Sequence, residues 1–135
     1  MSSFSRINRV LLRHYATKSK QQYLVLAIDK NPSNPAQRLT HRPAHLLYAA
    51  QLKQKGQIIF GGAILDQEQK NTNGDAKMVG SCVLYQVDHK EQLDNIMSRD
   101  PYVVGEVWGD IQVYPFKLAL PQKQDLKKEA ENNGI

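Results

Sequence analysis

The order of strand-like and helix-like segments is the feature that most constrains the fold of this chain. Short runs of β-branched and aliphatic residues predict strands, and apolar residues recurring every three or four positions predict helices. The predicted order is β-α-β-β-α-β, with strands at residues 22–29, 57–64, 78–87 and 106–116. This order predicts an α+β, ferredoxin-like fold, in which an antiparallel four-stranded sheet carries both helices on one face.

Both predicted helices have recognisable terminal signals. Thr40 is a capping residue, Pro43 suits a first turn, and Gly56 ends the first helix. A capping box that begins at Asp88 opens the second helix, and Pro101 stops it.

The first predicted strand is hydrophobic on both of its faces. Every position of residues 23–28 is apolar, whereas the helices of this fold cover only one side of the sheet. An uncovered apolar sheet face is unusual in a monomer. The simplest cover is a second copy of the same sheet, so the sequence predicts a symmetric homodimer.

At 135 residues the chain is long enough for one domain with a buried core. Composition divides it into a basic leader at residues 1–20, a folded domain at 21–120 and a polar C-terminal tail at 121–135. Within the domain, the polar residues 66–77 are predicted to form a flexible connection.

The formal charge of +5 belongs to the leader. Residues 1–20 contain five basic residues and no acidic one, whereas residues 21–135 contain 13 of each. A nucleic-acid-binding domain needs a cationic stripe on its folded surface. The neutral body therefore predicts no nucleic-acid partner.

The leader has the composition of a mitochondrial transit peptide. It is rich in Ser and Arg, lacks acidic residues, and would be amphipathic as a helix. Arg13 is suitably placed for a matrix protease, which predicts cleavage after Tyr15 and a mitochondrial matrix location. A disordered basic arm is the alternative interpretation.

The sequence lacks the signatures of membrane spans, disulfides and nucleotide cofactors. No apolar run approaches the ~20 residues of a membrane span. Cys82 is the single cysteine, so no internal disulfide is expected, and it is interpreted as a small buried hydrophobe. No phosphate-binding glycine loop or dinucleotide fingerprint occurs, and we expect no cofactor.

Two short signatures, R-P-A-H at residues 42–45 and R-D-P-Y at residues 99–102, carry the candidate chemistry. His45 lies in the opening turn of the predicted first helix, where the dipole favours a neutral imidazole that can accept a proton. Asp100 precedes Pro101, which keeps its backbone out of helical geometry. Together the two side chains are suited to proton transfer. The structural alternatives are a satisfied core histidine and a carboxylate that organises the turn.

Five segments in a consistent order carry a family resemblance: R-L-T-H-R-P-A-H-L at 38–46, the glycine pair at 61–62, G-S-C-V-L at 80–84, D-P-Y-V at 100–103 and V-Y-P-F-K at 113–117. They resemble the YciI or YCII-related family over residues 23–118. The resemblance implies a dimeric α/β barrel of ferredoxin-like subunits, with a pocket around His45 and Asp100. Its functional cousins include enzymes that dechlorinate hydroquinones, and the wider barrel group includes muconolactone isomerases and small monooxygenases.

Five further residues are candidates for substrate binding. Arg38 and Arg42 suit a bidentate clamp on an anion, with surface salt bridges as the alternative. Gly62 would either admit a ligand close to the backbone or form a β-bulge. Ser81 would line the pocket. Tyr102 would either donate its hydroxyl or pack in the core.

Two other residues near the signatures are candidates for binding a metal or an anion. His41 lies four residues before His45, a spacing that suits metal ligation on one helix face. The predicted helix begins after His41, however, and no third ligand follows at a suitable spacing, so no metal site is predicted. Arg99 is the first residue of the second signature and is a further candidate for binding an anion.

The sequence thus predicts a small, cofactor-independent mitochondrial enzyme. His45 and Asp100 would transfer a proton in a lyase, isomerase or hydrolase reaction on a small anionic or phenolic molecule. The alternative is a non-catalytic, dimeric ligand-binding or accessory module. A heme-dependent or quinone monooxygenase is a third hypothesis.

Overall fold

The computed structural model describes residues 20–120; the predicted transit peptide, its cleavage site and the tail lie outside them. The strands are β1 (Gln21–Asp29), β2 (Ile58–Lys70), β3 (Ala76–Val87) and β4 (Trp108–Phe116), and the helices are α1 (Ala36–Gln54), α2 (Lys90–Ser98) and the short α3 (Pro101–Val104). The four strands form one antiparallel sheet in the order β2-β3-β1-β4. The predicted ferredoxin-like α+β fold is confirmed.

Helix α1 begins earlier than its terminal signals predicted. It starts at Ala36, so Pro43 lies inside it and Thr40 does not cap it. The Thr40 hydroxyl instead donates a hydrogen bond to the Ala36 carbonyl at 2.9 Å. Arg38, in the first turn, is buried and ion-paired with Asp29 at the end of β1. This tertiary contact anchors a segment that Pro43 alone would disfavour as helix.

The β2–β3 hairpin is longer than predicted. Its strands extend to Lys70 and resume at Ala76, so the interpretation of residues 66–77 as a flexible connection is wrong. The turn is closed by hydrogen bonds from Asn71 to Asp75 at 2.7 Å and from Gly74 to Asn71 at 3.0 Å. Gly74 adopts the left-handed φ of 87° that such a tight turn requires.

Helix α2 is capped one residue later than predicted. The side chain of His89, not Asp88, accepts a hydrogen bond from the backbone N–H of Gln92 at 3.2 Å. The Gln92 side chain in turn accepts the backbone N–H of Asp88 at 2.7 Å. The return contact of Gln92 thus goes to the residue before the N-cap, so the two bonds resemble a capping box but do not complete one.

The core lies between the sheet and the helices. Val25, Val83 and Tyr85 face the helices from the sheet, and Leu52 and Leu93 pack against them from α1 and α2. These contacts fix the helical layer over β1 and β3 and leave room for a cavity beside them. Among the described helices, none is long and apolar enough to cross a membrane.

The opposite face of the sheet keeps apolar side chains accessible. Ile28 is 40% exposed, Tyr114 45% and Phe116 38%. Leu24 and Gln22 of β1 pair with Tyr114 and Phe116 of β4, which places these residues on one face. We call this surface the outer sheet face. The homodimer that would cover it stays a prediction.

Candidate active site

His45 and Asp100 meet as the two signatures predicted. The His45 Nδ1 atom lies 2.7 Å from Asp100 Oδ1, and both residues are buried. Because a carboxylate only accepts hydrogen bonds, we assign the Nδ1 proton to this contact. In the neutral ring the lone pair then lies on Nε2, which makes no hydrogen bond with any residue between 20 and 120.

The position of His45 within its helix differs from the prediction. The residue lies in the middle of α1 rather than in its first turn, because α1 begins at Ala36. The helix dipole therefore has little influence on the ring. The contact with Asp100 orients the imidazole instead.

Asp100 has two structural functions at once. It is the N-cap of α3, and its Oδ1 atom accepts the backbone N–H of Tyr102 at 2.8 Å as well as the His45 contact. Pro101, predicted only to stop a helix, occupies the first position of α3. The carboxylate both organises the turn and holds the histidine, so the two interpretations of Asp100 are compatible.

Two aromatic rings fix the plane of the His45 imidazole. Tyr102 stacks on it with a centroid distance of 3.8 Å and an interplanar angle of 11°. Trp108 meets it edge-on at 5.9 Å. Sequence reasoning did not single out Trp108, although it is the single tryptophan of the chain and begins β4.

Arg38 is held inside the site by a network of hydrogen bonds. Its Nε and Nη2 atoms lie 2.7 Å and 3.0 Å from the two carboxylate oxygens of Asp29. Nη2 also donates to Ser81 Oγ at 2.7 Å, and Nη1 donates to the Tyr102 hydroxyl at 3.3 Å. Trp108 Nε1 donates to the same Ser81 oxygen at 3.1 Å. Arg38 therefore does not form a surface salt bridge, and its guanidinium is not free to bind an anion.

A cavity of about 280 Å³ opens between α1 and the β2–β3 hairpin. Six of the seven predicted site residues line it, and Asp100 lies behind His45, with which it is hydrogen-bonded. The six are Arg38, Arg42, His45, Gly62, Ser81 and Tyr102. Most of the remaining lining is apolar, including Leu46, Ile58 and Val83.

Arg42 is the cavity arginine whose charge is not neutralised. It is half-buried and makes no hydrogen bond or ion pair with the residues that the structure describes. Lys53, also on the lining, donates to the Ile59 carbonyl at 2.9 Å. Arg99 is exposed at the end of α2 and does not line the cavity, so the structure does not bring it to the site.

The tyrosines around the cavity are held in their neutral form. Burial raises the pKa of Tyr102, which Arg38 and Arg42 partly counteract. Burial also raises the pKa of Tyr85, and the nearby Asp100 raises it further. The same two causes raise the pKa of Tyr48. At neutral pH these phenols are hydrogen-bond donors rather than bases.

The surroundings of Gly62 and His41 in the structure differ from those that the sequence suggested. Gly62 pairs in regular register with Cys82, so the β-bulge interpretation is wrong, and a Cβ there would meet no atom within 4 Å. His41 lies inside α1 with its ring against Gly105. Residues 20–120 hold no cluster of three or more His, Cys, Asp or Glu side chains suited to a metal.

The comparisons with known proteins establish the family. A model of the YCII-related domain matches residues 21–117. The protein YciI of Escherichia coli is 33% identical over 95 residues, which covers 70% of this chain and 95% of YciI. The chain belongs to the YCII-related family.

Two further proteins are similar to this YCII-related chain. A protein of Emericella nidulans named for a benzaldehyde-derivative biosynthesis cluster is 30% identical over 78 residues, covering 57% of this chain and 80% of its own. The structure of 5-chloro-2-hydroxyhydroquinone dehydrochlorinase from Burkholderia phenoliruptrix, in complex with 2,5-dihydroxybenzoquinone, has a TM-score of 0.60 and 23% identity, covering 71% of this chain and 93% of the other. That likeness supports the same fold.

Proposed function

We propose that this YCII-related protein is a small, cofactor-independent enzyme in which His45 and Asp100 transfer a proton on a small anionic or phenolic substrate. The 2.7 Å contact between His45 Nδ1 and Asp100, at a cavity that His45 lines, carries the proposal. It leaves the Nε2 atom of the neutral ring as the proton acceptor.

The chemistry follows from this arrangement. Nε2 takes a proton from the substrate, and the buried Asp100 carboxylate stabilises the imidazolium that results. The same nitrogen then returns the proton to another substrate atom or to a leaving group. These proton transfers need no oxidant or reductant in an isomerase or a lyase, and in a hydrolase Nε2 would instead take the proton from the attacking water.

The lining of the cavity favours a compact, anionic ligand. Apolar walls suit a ring or short chain, and the Arg42 guanidinium, which has no carboxylate partner in residues 20–120, suits a carboxylate or phenolate. The dehydrochlorinase with a similar fold was solved with 2,5-dihydroxybenzoquinone, a ring that carries several oxygens. This similarity supports a small oxygenated ring as the substrate class.

Two further features belong to the proposal. The enzyme forms a homodimer through the outer sheet face, and its leader directs it to the mitochondrial matrix. Cleavage after Tyr15 would leave a mature chain that begins at Ala16. Sequencing the N-terminus of the mature protein tests the leader, and an intact Met1 or Ser2 contradicts it.

Exchange of carbon-bound hydrogen for deuterium tests the proton transfer. Small keto acids, hydroxybenzoates and hydroxyquinones are incubated with the protein in D₂O and analysed by mass spectrometry. His45→Gln retains a hydrogen-bond donor for Asp100 but no base, and we expect exchange to slow by about 10²–10⁴-fold. His89→Asn is the matched control, because it changes an exposed histidine and keeps the cap of α2. Binding without any His45-dependent exchange contradicts the proposal and favours the ligand-binding module.

A further inference from the structure

Tyr85 is a buried tyrosine in the wall of the cavity that the sequence analysis did not single out. It lies on the helix-facing side of β3, paired with Tyr23 of β1 and Ile58 of β2. It is 1% exposed, and it lines the same cavity as His45. The ring is therefore part of the core, while the residue also borders the ligand space.

The hydroxyl of Tyr85 has no hydrogen-bond partner among residues 20–120. By contrast, the Tyr48 hydroxyl donates to the Ile96 carbonyl at 2.6 Å, and the Tyr102 hydroxyl accepts from Arg38. The described residues contain no fully buried side-chain polar atom without a partner. The Tyr85 oxygen therefore keeps accessible surface, and Tyr85 is one of the residues that line the cavity.

The Tyr85 hydroxyl is not needed to hold the core together. It makes no hydrogen bond with the described residues and its oxygen stays accessible, so its partner is a molecule from outside the chain, either water or a ligand. Phenylalanine would fill the same space without offering that donor. A ligand oxygen would take the place of water as the partner.

We propose that the Tyr85 hydroxyl donates a hydrogen bond to a phenolate or enolate oxygen of the molecule bound in the cavity. The inference rests on the proposed function and narrows its substrate class. The raised pKa of Tyr85 keeps the group a neutral donor at physiological pH. Such a donor stabilises negative charge on the substrate oxygen, while His45 Nε2 accepts the proton whose removal generates that charge.

Binding of two matched probes tests this assignment. The probes are 4-nitrophenol, at a pH where it is the phenolate, and nitrobenzene, which has the same ring without the hydroxyl. For Tyr85→Phe we expect the affinity for 4-nitrophenolate to fall roughly tenfold to a hundredfold, the usual range for a hydrogen bond to a charged group. Its affinity for nitrobenzene and its melting temperature are expected to stay unchanged, because no intramolecular hydrogen bond is lost.

Tyr48→Phe is the control variant, since its hydroxyl bonds to the Ile96 carbonyl and the residue does not line the cavity. We expect it to lower the melting temperature and leave both affinities unchanged. Three outcomes would overturn the assignment. The wild type and Tyr85→Phe could bind the phenolate equally well, or Tyr85→Phe could lose affinity for both probes. The third is that the wild type does not bind the phenolate. The readout is binding, so Tyr85-dependent binding without His45-dependent exchange contradicts the proposed function alone.

Discussion

At the scale of single residues, the two arginines of the cavity differ in whether the protein itself neutralises their charge. The guanidinium of Arg38 is satisfied by Asp29, Ser81 and Tyr102. Its charge is compensated within the protein, so its main effect is to hold Tyr102 and Ser81 in place. Arg42 is the arginine left for an anionic ligand among the described residues.

Breaking the buried ion pair is expected to destabilise the fold. Arg38→Met leaves the Asp29 carboxylate buried without a counterion, and we expect the free energy of unfolding to fall by about 3–5 kcal/mol. The double variant Arg38→Met/Asp29→Leu removes both charges and should recover most of that loss. Urea unfolding measures both, with Arg99→Met as an exposed control expected to change stability by less than about 0.5 kcal/mol. If the double variant is no more stable than Arg38→Met, the uncompensated Asp29 charge is not the cause of the lost stability.

Three tyrosines with raised pKa values predict a loss of stability at alkaline pH. Folding raises the pKa values of Tyr48, Tyr85 and Tyr102 above the ordinary value of 10.0. In the unfolded chain these groups ionise first, so their contribution is fully present below pH 10 and declines as the pH rises further. Urea unfolding at about pH 8 and about pH 11 should show the decline, and Tyr85→Phe should reduce it. An unchanged pH dependence in that variant would exclude Tyr85 as a contributor.

At the scale of elements, the close approach of strands β1 and β3 requires a glycine at one position of β3. Gly80 of β3 lies opposite Ile28 of β1, and a Cβ at this position would collide with the backbone carbonyl of Ala27. Gly62 of β2 has open space where its Cβ would be. Both glycines belong to the same sheet, but the backbone permits a side chain at only one of them.

Alanine substitution should separate the two glycines. Gly80→Ala forces the β1 and β3 backbones apart, and we expect a loss of about 2–3 kcal/mol in the free energy of unfolding. Gly62→Ala should change stability by no more than about 1 kcal/mol. Chemical denaturation of the two variants provides the comparison. Similar losses of stability in both variants would mean that the close packing of β1 and β3 does not explain the cost of replacing Gly80.

At the scale of the whole molecule, the outer sheet face keeps apolar side chains exposed. Ile28, Tyr114 and Phe116 are each more than a third exposed there. Val25 lies on the other face, against the helices, and is buried. A charge intended to disrupt the proposed dimer therefore belongs on Leu26, which points away from the core.

Leu26→Lys should convert the proposed dimer into a monomer that keeps its fold. The lysine places a charge in the middle of an apolar contact, where it finds no partner within the described chain. Sedimentation gives the association state, and circular dichroism reports whether the fold is intact. Val104→Lys, at an exposed position of α3, is the control and should leave association unchanged. A well-folded monomer for the unmodified protein would rule out the dimer.

The sequence by itself determined the order of elements and the antiparallel sheet, because periodicity and turn residues are local signals, and the family resemblance implied a pocket around His45 and Asp100. Only the tertiary structure decided where α1 begins, how far the hairpin extends and what surrounds the imidazole. The ion pair of Arg38 with Asp29 overrides the local preference of Pro43. The unpaired hydroxyl of Tyr85 has no local signature either. Such features depend on contacts between residues far apart in the chain, which residue patterns do not encode.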